Sequence, residues 1–76
     1  MTERAFIIRL EDEGCWVVPE WRWRGERGEP IQVCLRSGIR QVAVYVSSAE
    51  VQHADEDTVG AVLSRLRYEL ATMVVN

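Results

Sequence analysis

The chain predicts an α+β domain: a four-stranded antiparallel meander sheet in the order β-β-β-β-α, with one C-terminal amphipathic helix packed on one face. Three observations carry that expectation. Most of the chain up to residue 46 alternates apolar and polar residues at the two-residue period of a strand. Short turns separate the alternating runs, which favours neighbours paired antiparallel. The last third steps by three and four, the stripe of an amphipathic helix. A chain of 76 residues holds one small domain, residues 1–76, with a single core.

Residues 4–10, RAFIIRL, predict the first strand, with Phe6, Ile8 and Leu10 on one face and Ala5, Ile7 and Arg9 on the other. The turn EDEG at 11–14 ends in Gly14, which takes a positive φ without strain. Residues 15–24, CWVVPEWRWR, predict the second strand. Cys15, Val17, Trp21 and Trp23 share one parity there, and Trp16, Val18, Arg22 and Arg24 the other. Pro19 cannot donate to a ladder, so it marks a bulge or an edge position and is able to shift the register.

GERGEP at 25–30 is a loop rich in turn formers. Residues 31–36, IQVCLR, point Ile31, Val33 and Leu35 inward and Gln32, Cys34 and Arg36 outward. Ser37-Gly38 forms a hairpin connection. Residues 39–46, IRQVAVYV, predict the fourth strand, with Val42, Val44 and Val46 opposite Gln41, Ala43 and Tyr45. Ser47 with Glu50 three residues on fits a capping box, so a short helical turn begins near Ser48. Val59, Val62, Leu63, Leu66, Leu70, Met73 and Val74 then form the helix stripe. Asp55, Glu56 and Asp57 precede it at the positive end of the helix dipole.

Composition narrows the function classes. Apolar residues make up 47% and charged residues 28% of the chain, the balance of a globular protein. The net charge of −3 argues against generic affinity for nucleic acid. Residues 1–46 hold seven Arg and seven acids, whereas residues 47–76 hold five acids and two Arg. All nine basic residues are Arg, a side chain suited to planar, desolvated contacts. No run of eighteen apolar residues supplies a membrane span, and MTERAFIIRLEDEG lacks the pattern of a signal peptide. The expectation is a cytoplasmic protein with Cys15 and Cys34 reduced.

Chemistry-bearing motifs are sparse. Cys15, Cys34 and His53 have neither CxxC nor HxxxH spacing, which leaves no zinc site and no metal expected. His53 sits beside Asp55, Glu56 and Asp57 with no nucleophile or orienting group indicated. Neither GxxxxGK[ST] nor GxGxxG occurs. The chain is therefore expected to be no enzyme, with no catalytic residue, no cofactor and no small-molecule substrate.

One helix covers one face of a sheet, so the second face becomes the candidate site. Parity assigns Ile7, Arg9, Trp16, Val18, Arg22, Arg24, Arg36 and Tyr45 to it, together with Cys34 and Ala43. A solvated antiparallel face is ordinarily polar. Aromatic residues and Arg are instead the types enriched at interface hot spots. In the run EWRWRGERGE at 20–29, Trp21 and Trp23 share parity with the core and Arg22 and Arg24 point away. A single-strand-binding strip would put rings and cations on one face, which here only Trp16 and Tyr45 satisfy.

Residues 5–18, AFIIRLEDEGCWVV, resemble the opening hairpin of HicB-type antitoxin domains: a strand, an acidic turn ending in Gly, and an aromatic-led strand. The Pro-Gly turn and the Gly-Thr-x-Glu-Glu-Ala helix start that follow in that family are absent. The order of strands and helix is also similar to the single-strand-binding coactivator fold, four strands and a helix used as a dimer.

The functional expectation is a small non-enzymatic protein-binding module acting through its open sheet face, on a protein partner or on its own copy as a homodimer. The acidic runs EDE at 11–13 and ADED at 54–57 extend it toward a phage or mobile-element inhibitor of a nucleic-acid-handling complex, of the anti-CRISPR kind. The alternative is direct nucleic-acid binding through the Arg and aromatic side chains of the same face.

Overall fold

The computed structural model describes residues 1–18 and 30–73. It is an α+β domain in which helix α1 (Glu3–Asp12) precedes strands β1 (Trp16–Val17), β2 (Ile31–Ser37) and β3 (Arg40–Val46). A short helix α2 (Ser48–Gln52) and a long helix α3 (Glu56–Thr72) follow. The three strands form one antiparallel sheet in the order β1-β2-β3. α1 packs on β1, α3 packs on β2 and β3, and the two helices touch each other.

The first element corrects the sequence-based expectation. Residues 4–10 are helical, so the described sheet has three strands and the hairpin likeness of residues 5–18 does not hold. Both ends of α1 explain why. Thr2 is its N-cap and its hydroxyl accepts from the Ala5 N–H at 3.1 Å. At the other end Gly14 adopts φ +92° and donates to the Glu11 carbonyl, while Cys15 N–H donates to the Leu10 carbonyl at 3.1 Å. Those two bonds are a Schellman cap, and Leu10 and Cys15 are both buried beside it. The glycine does supply a positive φ, but as a helix terminator. Burial follows the helical triple Phe6, Ile7 and Leu10. Ile7 is 3% exposed and Ile8 47%, the reverse of the strand parity.

The remaining elements stand closer to expectation. The described part of the second strand is β1; residues 19–24, with Pro19, Trp21 and Trp23, lie outside the described residues. The tight turn moves one residue along, to Gly38-Ile39, since Ser37 still pairs with Arg40. Gly38 takes φ +63° there. α2 is capped by Ser47, whose hydroxyl accepts from the Glu50 N–H at 3.2 Å. α3 has a reciprocal capping box: Asp55 accepts from the Thr58 N–H at 2.9 Å, and the Thr58 hydroxyl accepts from the Asp55 N–H at 3.3 Å.

The core lies between the helices and one side of the sheet. Phe6, Ile7 and Leu10 of α1 meet Val17, Ile31, Val33, Val44 and Val46 of the sheet, and Val59, Val62, Leu63 and Leu66 of α3. Leu35 and Val42 complete it from its margin. No polar or charged side chain is buried among the described residues, so desolvating a charge opposes folding nowhere in that set.

Candidate partner-binding face

Strand register builds the outer face row by row. Trp16 pairs with Cys34 and Cys34 with Ala43, giving one row across all three strands. Gln32 pairs with Tyr45, and Val18 joins that row by donating its N–H to the Gln32 carbonyl at 3.1 Å. Arg36 pairs with Gln41 in the third row. Alternation along each strand puts all these side chains opposite the core. Among the described residues no helix packs on that side.

The face is apolar at its middle and polar at its ends. Cys34 is 3% exposed although it points away from the core, with Trp16 and Ala43 as its row neighbours. Burial pushes its thiol above the ordinary range. Trp16 and Tyr45 keep 37% and 54% of their surface. Gln32 donates from its amide to the Tyr45 hydroxyl at 3.4 Å. Arg36 is exposed and donates from Nε to the Gly38 carbonyl at 3.3 Å, which holds its stem over the turn.

Of the eight residues that parity assigns to the site, four occupy the face: Trp16, Val18, Arg36 and Tyr45. Ile7 and Arg9 do not, because residues 4–10 are helical. Ile7 is part of the core. Arg9 lies between α1 and α3, where it donates to Glu56 at 3.0 Å and to Glu13 at 3.2 Å. Those contacts, Glu56 first, raise its pKa further. Arg22 and Arg24 lie outside the described residues. Gln32 and Gln41 join the face, and the alternation of their strands already indicates it.

Elsewhere the chemistry stays sparse. No group of three His, Cys, Asp or Glu among the described residues is arranged to hold a metal ion. Cys15 and Cys34 are free thiols; burial, the largest influence on Cys15, raises that thiol as well. His53 is exposed at the end of α2. Arg9 ties Glu13 of the first acidic run to Glu56 of the second; Glu11, Asp12 and Asp57 are exposed. No described helix is long and apolar enough to cross a membrane. Comparison with protein-family models, with curated proteins and with solved structures gives no match.

Proposed function

We propose that the chain is a small non-enzymatic protein-binding module whose working surface is the outer sheet face, with Trp16 and Tyr45 as anchors and Arg36 at the rim. The observation that carries this reading is the composition of that face. It presents two partly exposed aromatic side chains around a buried apolar centre, on the side of the sheet that the described helices leave uncovered. Covering such side chains gains roughly 25 cal/mol per Å² in gross transfer terms. The partner is a protein segment that supplies apolar contact at the centre and a carboxylate for Arg36.

Its finer form is an inhibitor of a nucleic-acid-handling complex. Support comes from the exposed carboxylates Glu11, Asp12 and Asp57 of two acidic runs whose members Glu13 and Glu56 meet at Arg9, since exposed acids can compete for a phosphate-binding groove. Direct nucleic-acid binding is the second reading, supported by Trp16, Tyr45 and Arg36 sharing a face. It is the weaker one, because Arg9 is committed to Glu56 and Glu13.

Captured partner and variants test the proposal. Trp16→Ala is expected to weaken a protein complex by roughly 30-fold, the loss typical of a hot-spot aromatic. Arg36→Glu lowers affinity further, and both leave the circular dichroism spectrum intact. A complex indifferent to both changes sinks the proposal. Gel shifts with DNA and RNA that weaken along a steep log–log salt slope establish the second reading in its place.

A further inference from the structure

The two edges of the sheet are unequal. β1 has two residues, whereas β3 has seven, and no described strand pairs with its outer side. Sheet edges are ordinarily protected by brevity, by Pro, by a bulge or by inward charge. Brevity protects β1. β3 has none of these: its register against β2 is unbroken from Val46 to Arg40, and its one charge is Arg40 at its first position.

Alternation identifies the backbone groups on that outer side. The bond from Val18 N–H to the Gln32 carbonyl turns Gln32 and Cys34 toward β1, hence Ile31, Val33 and Leu35 toward β3. Register then turns Val42, Val44 and Val46 of β3 toward β2, and Gln41 and Ala43 outward. A second β3 laid antiparallel about Val42 lets Gln41 and Ala43 of each copy exchange bonds. Val42 meets its counterpart at close range, and Ile39, 85% exposed, comes opposite the other copy's Tyr45.

The helix layer fits the same two-fold. Glu56 and Arg67 bond to Arg9 and Glu13 and so mark the flank of α3 that faces α1. Arg65 and Glu69, paired at 4.0 Å, lie on the opposite flank by helical period, and since α1 packs on β1, that flank is the one turned toward the outer edge of β3. Strands about 4.8 Å apart put the two α3 helices about 10 Å apart, a packing distance. Arg65 of each copy then faces Glu69 of the other.

We propose that the chain is a two-fold dimer in which β3 pairs antiparallel with β3 of a second copy and the Arg65–Glu69 flanks of α3 meet. The described sheet becomes six strands with two short β1 edges, so assembly stops at two. Pairing also places two outer faces side by side. One face has a flat footprint on the order of 300 Å², against about 800 Å² per partner in a standard interface. The dimer stands whether or not that face binds a partner.

Sedimentation velocity tests it across micromolar to millimolar concentration. The chain is expected at twice its 8.7 kDa mass. Ala43→Pro removes an outward N–H and is expected to give a folded monomer. Arg65→Glu, and separately Glu69→Arg, raises the dissociation constant about tenfold through like charges, and the combined reversal restores it. Trp16→Ala leaves the dimer intact, which separates this surface from the outer face. A monomeric wild type, an assembly larger than two, or a dimer unmoved by the Arg65 and Glu69 changes overturns the proposal. Should Ala43→Pro unfold, the charge-reversal set decides alone.

Discussion

Ile7 and Ile8 are identical neighbours with opposite environments, one in the core at 3% exposure and one at 47%. Ile7→Lys is expected to cost about 3–5 kcal/mol, the range for placing an unpaired charge in a core. Ile8→Lys falls within about 0.5 kcal/mol of the wild type. Urea unfolding of the two variants checks this, and equal losses contradict the helix. The pair also shows what was legible in the sequence. Phe6, Leu10 and the apolar character of the segment were, but Phe6-Ile7-Ile8-Leu10 satisfies both a two-residue and a helical period. The signals that resolve it are short-range, a Thr before the first turn and a Gly after the last. Thr2→Ala is expected to cost about 1 kcal/mol by thermal unfolding, the loss of one N-cap. At the candidate site the same ambiguity removed Ile7 and Arg9, while the parity of Trp16, Val18, Arg36 and Tyr45 survived because β1, β2 and β3 are regular.

Among elements, α3 contributes the longest apolar stripe and has the clearest start signal. Asp55 has its carboxyl held below the ordinary range, first by the Thr58 N–H and then by the Thr58 hydroxyl. A folded pKa below the unfolded one means stability that is complete above the ordinary carboxylate range and is lost as pH falls through the folded value. Asp55→Ala is therefore expected to lower the melting temperature at neutral pH and to flatten its acid limb. An unchanged pH profile contradicts the cap. Inside α3, an added Cβ at Gly60 meets nothing within 4 Å. Gly60→Ala is expected to stabilise by about 0.5–1 kcal/mol. Gly38→Ala is expected to destabilise by about 1–2 kcal/mol, since φ +63° strains any L side chain. Val59, Val62, Leu63 and Leu66 of the stripe, the acidic start and the Ser47 cap were legible because helical period and capping residues agree; Met73 lies past the end of α3 and is exposed, and Val74 is outside the described residues.

At the scale of the whole molecule, the described helices gather on one side of a short sheet. Folding of so few residues buries roughly 60% of the surface of the unfolded chain, so surface covered by the proposed association would add to the stability of a lone copy. Strand parity puts Trp16, Val18, Arg36 and Tyr45 on the face opposite the core even though residues 4–10 read as a strand and are a helix. The meander order expected from the short turns puts residues 39–46 at an edge, where β3 lies. The most direct test of the central claim uses a photo-crosslinking amino acid at Tyr45 on the outer face and, separately, at Tyr68 on the solvent side of α3. Each variant is irradiated in cells of the source organism. The expected result is an adduct with a different protein from position 45 that Trp16→Ala abolishes, with none from position 68; an adduct with a second copy, which β3 pairing sets beside Tyr45, is told apart by its mass. Adducts with a different protein from position 68 alone, such adducts from 45 that survive Trp16→Ala, or none of them from 45 contradict it.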